Sequence, residues 1–257
     1  MKTIWAIAMK DFKGIVLSPT FLILSSLCAA IWSYVYLRFI EAFAQQSAMP
    51  AFGGAQKNMN LHYDVFVNHA SFVNLIFLFV VPALTMRLIS EEKKQGTFDL
   101  LLTSPITATD IMLGKFLGGF FAVSVLVGVS LFYPLTTAML GKFPWAPLVL
   151  TYVGMLLISA MYVAVGLFAS SLTDSVVLSV VLGVLFNLIL WFISQNPGMG
   201  EDSSPIFMAV FQHLSLGLHF QSFLKGTIQV SSVVYFLSAI SLFLFLTQRV
   251  VESARWR

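Results

Sequence analysis

Charge is what this sequence has least of. Only 10% of its 257 residues are Asp, Glu, Lys or Arg, against about 25% in a typical soluble domain. Apolar residues make up 58% and the mean hydropathy is +0.90, so a single water-soluble globule is excluded. Cysteine is nearly absent as well. Cys28 stands alone inside an apolar run, which excludes an intramolecular disulfide or a cysteine metal site and leaves packing as its role. Catalytic and nucleotide-binding motifs are also missing: there is no G-x-x-x-x-G-K-[ST] loop, no H-E-x-x-H, and no pair of carboxylates within an apolar run to serve as acid and base. No enzymatic activity is expected of this chain itself. A net charge of +3 and a pI near 9.0 would suggest nucleic acid as a partner in a soluble protein. In a chain this apolar the cations report topology instead, and no nucleic-acid partner is expected.

What is present is a series of charge-free runs. A bilayer span needs about 20 apolar residues, and six such spans are predicted, at about 19–41, 66–88, 112–140, 147–172, 175–194 and 230–250. The fold class is therefore an all-α integral membrane protein, one transmembrane domain over 1–257. An even number of spans puts both termini on one side. With the termini inside, ten of the fourteen Lys and Arg residues are cytoplasmic, and only Arg38, Lys57, Lys142 and Lys225 are outside. That bias predicts cytoplasmic termini in the inner (cytoplasmic) membrane.

Residues 1–16 read as an interfacial elbow helix. Ile4, Trp5, Ala8, Phe12, Ile15 and Val16 gather on one side at 100° per residue, and Lys2, Lys10 and Lys13 on the other. Lys10, Asp11 and Lys13 interrupt the apolar run where a signal peptide would continue, so the segment is expected to be retained. Trp5, Lys10, Asp11 and Phe12 mark the helix, which either anchors in the membrane or packs as a lateral elbow beside the cytoplasmic mouth. Residues 44–64, rich in Gln, Gly, Ala and Asn, read as an external loop or short interfacial helix, and 196–229 as a turn-rich external segment ending in one or two re-entrant or interfacial helices. His213 and His219 stand six apart, not the three or four that share a helical face, so no metal site is expected.

Few residues break the apolar pattern within the spans. Arg38 and Glu41 read as a local ion pair. Pro82 and Pro134 can kink their helices, and Asn74 and Asn187 can bond across helices or line a cavity. Gly114-x-x-x-Gly118 and Gly166-x-x-x-Ser170 permit close helix contact.

The most informative stretch is cytoplasmic, between spans 2 and 3. Glu91, Glu92, Lys93 and Lys94 lead to Gly96-Thr97, which breaks the helix and offers a cap for a short apolar helix from Phe98 to Leu102. Ser104-Pro105 closes it, and Thr107-x-x-Asp110 reads as a capping box that launches the third span. Such a helix cannot bury Phe98, Leu101 and Leu102 by itself. It fits a groove on a soluble partner, or it lies on lipid headgroups.

These residues carry a resemblance. Glu91 to Ile106, followed by Gly114-Lys115, resembles the E-x-x-x-G-T-x-E-x-L-L-x-x-P-[IV] … G-K stretch of ABC-2 type transporter permeases, with Asp99 where Glu is commoner. The likeness covers nearly the whole chain and is strongest to the small six-span permeases of the gliding-motility and nitrous-oxide-reductase-maturation kind. It implies the transmembrane half of an ATP-driven exporter. Its partners would be two copies of a separate cytoplasmic ABC ATPase, a second permease protomer as homodimer or heterodimer, an extracytoplasmic accessory subunit, and the lipid bilayer. ATP and Mg would be held by the ATPase, with no cofactor on this chain. The resemblance makes 91–106 the coupling segment. Phe98, Leu101 and Leu102 would be its knobs and Gly96 and Pro105 its ends, with Glu91, Glu92, Lys93 and Lys94 pairing with the ATPase or steadying the helix before the break. The alternative is a non-transporting scaffold that anchors an ATPase to an extracytoplasmic motility or assembly partner.

Overall fold

The structure, a computed structural model, describes residues 2–48, 60–103, 106–139, 145–195 and 212–254. Among these there is no strand. The helices are α1 (Lys2–Val16), α2 (Pro19–Ala48), α3 (Val67–Thr85, entered through a π turn at His62–Phe66), α4 (Ser90–Lys94), α5 (Phe98–Thr103), α6 (Ala108–Ala138), α7 (Trp145–Ser171), α8 (Val176–Gln195), α9 (Leu216–Leu224) and α10 (Val230–Ala254). Six of the helical stretches are long and apolar enough to cross a membrane, and the chain is a multi-pass membrane protein.

Helix α7 is the central post. It packs against α3, α6, α8, α9 and α10, and 72% of its most apolar stretch is buried, against 17% for α8. Both helices are apolar enough to span. What separates them is neighbours, since α8 presents Val177, Val181, Leu185 and Ile189 outward.

Local chemistry sets the boundaries. Pro19 opens α2 at the first helical position, where its missing N–H costs nothing, and Ser18 Oγ accepts from Phe21 N at 3.2 Å as its N-cap. The expected capping box is present: Asp110 N donates to Thr107 Oγ1 (3.1 Å), and Thr107 N to Asp110 Oδ2 (3.2 Å). Gly96 and Gly226 have φ of +69° and +73°, a region that strains any residue with a β-carbon. Each ends a helix in a Schellman motif. Gly96 N reaches Lys93 O and Thr97 N reaches Glu92 O, while Gly226 N reaches Phe223 O and Thr227 N reaches Ser222 O.

The prolines leave orphaned carbonyls, and polar side chains answer them. Pro82 has no N–H for Leu78 O, which instead accepts from Asn187 Nδ2 at 3.3 Å. Pro134 leaves Ser130 O, which accepts from Tyr152 Oη at 2.9 Å and lies 3.4 Å from His69 Nε2. In a lipid environment water cannot satisfy such groups, so the protein must. Nothing in the sequence around His69 or Tyr152 marks them for this role.

Both small-residue strips mark close approaches. A β-carbon at Gly114 would sit 2.7 Å from Ile7 Cβ, and one at Gly118 would sit 2.9 Å from Ala8 O, so α1 lies directly on α6 (α1 and α6 are the most extensively packed pair). Trp5 and Phe12 clasp Phe121 of α6 edge-on at 5.9 and 6.4 Å. Helix α1 is thus packed on the bundle. Arg38 and Glu41 pair at 3.0 Å as expected. Within the 196–229 segment, α9 packs on α7, with Phe223 against Gly154 and Gly226 against Pro147.

Candidate functional site

The first and last described helices meet at one end of the bundle with the α3–α4 junction and the start of α6; Gln248 Nε2 of α10 donates to Thr109 Oγ1 of α6 at 3.0 Å. This end carries the charged segment singled out in the sequence.

Its root is a helix break held by one hydroxyl. Ser170 Oγ of α7 accepts from Ile89 N (3.1 Å) and Ser90 N (3.0 Å) and donates to Met86 O (2.8 Å). One turn earlier, Gly166 leaves room for Thr85, whose Oγ1 would collide with any β-carbon there. Gly166-x-x-x-Ser170 is therefore the strip on which the end of α3 turns into α4. The Gly96 motif then closes α4. The Thr97 hydroxyl donates backward to Glu92 O at 3.3 Å, so it seals the helix before it, where the sequence offers it as a cap for the helix after.

The charges of α4 divide between inside and outside. Glu92 turns inward: its Oε2 lies 2.7 Å from Lys115 Nζ, and its Oε1 lies 3.2 Å from Lys10 Nζ. Lys93 reaches the α7–α8 turn, donating to Ser171 O at 2.7 Å and lying 3.5 Å from Asp174. Glu91 faces Arg87 at 3.8 Å, and Lys94 is exposed. Glu92 and Lys93 thus serve as braces for the segment.

Lys115 is the residue whose placement the sequence conceals most. Counted there as a flanking cytoplasmic cation, it is 1% exposed. Its ammonium sits between Glu92 of α4 and Asp11 of α1, the latter at 3.4 Å. A buried ammonium needs paired carboxylates, and here they come from two different elements, so one cation ties elbow, segment and span together. Burial pushes the Asp11 carboxyl above the usual carboxylate range, even though Lys115 draws it down. Gly114, the preceding residue, admits α1 close enough for the contact.

Beyond the break, α5 corrects one expectation. Phe98, read as a knob for a partner, is 3% exposed; it turns into the core, 5.8 Å beneath Lys93 Nζ. Leu101 is half-buried against the same core. The outward residue is Leu100, 70% exposed, flanked by Asp99 and Thr103, also exposed. Ser104, Pro105 and the side chain of Leu102 lie outside the described residues.

The intramembrane candidates separate by role. Pro82, Pro134 and Asn187 belong to the carbonyl repairs above. Asn74 lines a cavity of about 310 Å3 between α3, α8 and α9, together with Trp191 and Gln221. His219 spends both ring nitrogens locally, on Ser232 Oγ and His213 O at 3.1 Å each, and stacks on Tyr235 at 4.3 Å. Among the described residues, no three His, Cys, Asp or Glu side chains gather to hold a metal.

Compared with known proteins, residues 5–255 match the family model described as ABC-2 family transporter protein. No protein of curated function matches the chain.

Proposed function

Because the chain belongs to the ABC-2 family of transporter proteins, we propose that it is the permease subunit of an ATP-driven exporter and draws its energy from a separate cytoplasmic ABC ATPase through segment 91–106. The observation that carries this reading is the construction of α4–α5. An apolar tip, Leu100, is held out from the bundle while everything behind it is fastened: Phe98 in the core, Lys93 to the α7–α8 turn, Glu92 to Lys115. A surface meant only to rest on headgroups has no need of such bracing. A surface that must transmit force does, because a push on a floppy helix is lost as local motion.

In this reading two ATPase subunits close on ATP and displace α5 on each of two permease protomers. The displacement passes through Lys115 to α1 and α6 together, and the packed spans move as rigid bodies. Both termini are cytoplasmic and the membrane is the inner membrane. The Gly96-to-Ile106 pattern and the elbow favour the small six-span subgroup of the gliding-motility and nitrous-oxide-reductase-maturation kind.

Co-expression with the cognate ATPase tests the proposal. The pair should purify together, and the permease should change the ATPase rate; Leu100→Glu should abolish both while leaving the permease folded. A Leu100→Glu variant that binds and stimulates normally would refute it.

A further inference from the structure

A cavity of about 510 Å3 lies at the charged end of the bundle between α1, the start of α2 and the α3–α4 junction. Its floor is apolar, from Leu84 and Leu88. Its rim carries Lys10 and Arg87 on one hand and Glu91 and Glu92 on the other. Asp11 lines it as well, and Lys115 stands behind Asp11 and Glu92, so the three carboxylates are balanced by three cations and the site has no net preference for an anion. The depth is that of headgroups, because the charge-free run of the first span begins at Gly14 and that of the second ends at Arg87, and both residues line the cavity.

Gly14 supplies a second, independent observation. It lines the cavity, it lies within α1, and a β-carbon there would meet nothing within 4 Å. Glycine inside a helix is unfavourable relative to alanine. At Gly114 and Gly118 a neighbouring helix accounts for it, whereas at Gly14 none of the described residues does. The bare backbone at Gly14 leaves this side of the cavity open.

We propose that this cavity binds a zwitterionic phospholipid headgroup of the phosphoethanolamine type. The Arg87 fork and Lys10 would receive the phosphate, Glu91 would accept hydrogen bonds from the primary ammonium, and the glycerol end would run along Leu84 and Leu88 toward the bilayer. A phosphocholine head matches the charge but has no N–H to donate to Glu91, and a phosphoglycerol head brings a net negative charge to a balanced site. Lipid held here bridges α1 to α4, so its presence stiffens the elbow against the charged segment. The inference does not depend on the ATPase reading, because it concerns the permease alone.

The test is native mass spectrometry on the full-length protein, delipidated in detergent and titrated with phosphatidylethanolamine, phosphatidylcholine and phosphatidylglycerol. Phosphatidylethanolamine should be retained best. Arg87→Gln should weaken it by about tenfold, the loss of one charge-assisted hydrogen bond. Gly14→Leu should exclude it without lowering thermal stability in detergent, since the new side chain grows into open space and replaces a helical glycine. Equal retention of the three lipids, or undiminished binding to a folded Gly14→Leu variant, overturns the proposal. So does equal binding of soluble glycerophosphoethanolamine, which would assign the site to a free metabolite-like head and not to a bilayer lipid.

Discussion

The side-chain amide of Asn187, on α8, donates at 3.3 Å to Leu78 O of α3, the one carbonyl in that turn that Pro82 has no N–H to reach. A proline in one span and an asparagine in another, more than a hundred residues apart, are therefore halves of a single hydrogen-bonding problem. The same solution recurs where Tyr152 of α7 supplies the donor for Ser130 O, left open by Pro134 of α6. Polar residues in apolar spans usually invite a reading as pathway or site. In this protein these two mend backbone.

That pairing predicts a coupling between substitutions. Asn187→Leu should cost about 1–3 kcal/mol in detergent unfolding, the range for stranding a buried acceptor. In a Pro82→Ala background residue 82 regains its N–H and Leu78 O its helical partner, so the cost of Asn187→Leu should fall toward zero. Equal costs in the two backgrounds would show that the amide has another function.

Lys115 should behave as a buried charge whose partners are unequal. Glu92→Gln leaves the ammonium with a carboxylate 3.4 Å away in place of one at 2.7 Å, and a loss of about 3–5 kcal/mol is expected, as for a broken buried pair. Lys115→Met with Glu92→Gln together should be milder than either alone. A double-mutant cycle by chemical denaturation in micelles measures the difference.

Asp11 should give a different result. Its carboxyl is pushed up mainly by burial, so the ionised form is less comfortable folded than unfolded. A raised folded pKa means that the folded state holds the proton more tightly, so stability falls as pH rises from the unfolded value of 3.8 through the raised one, and the penalty persists at neutral pH. Asp11→Asn removes that penalty. It should be close to neutral or stabilising at pH 7, with the advantage over wild type shrinking as the pH falls toward 3.8. A large loss at pH 7 would show that the Lys115 attraction outweighs burial.

Phe98 and Leu100 separate folding from coupling. Phe98→Ala empties a core position and should cost about 3–5 kcal/mol. Leu100→Ala should leave thermal unfolding unchanged and reduce stimulation of the ATPase. If Leu100→Ala lowers stability as much as Phe98→Ala does, α5 is seated differently from the arrangement described above.

Gly96 tests backbone conformation alone. A β-carbon there meets no neighbour within 4 Å, yet φ is +69°, so Gly96→Ala should cost about 1–2 kcal/mol purely from the left-handed backbone. Gly14→Ala, equally open but helical, should instead stabilise by about 0.4–1 kcal/mol. Opposite signs in thermal unfolding are the expected result.

The spans were legible because charge-free runs are long and their ends are charged, and the caps at Thr107 and Gly96 because each depends on a residue or two. Lys115 was misread for the opposite reason. Its partners Asp11 and Glu92 lie far away in sequence, and a lysine beside a span reads as a surface cation until the fold brings them together. Phe98 and Leu100 could not be sorted either, since a helix of six residues is too short for periodicity to say which side faces in. His69 escaped notice as one polar residue in an apolar run; the proline that creates its acceptor is on another helix.

Helix α7, the post on which α3, α6, α8, α9 and α10 lean, also sets an order for biosynthesis. The segments before it can pack α1 against α6, α2 against α3, and α6 more lightly on α2 and α3, but the faces of α3 and α6 that α7 covers stay unpaired until it is made. Completion of Ser171 supplies their shared surface. A ribosome stalled before that point would release a chain that is inserted but unassembled, and quality-control proteases would meet it as a set of loose hairpins.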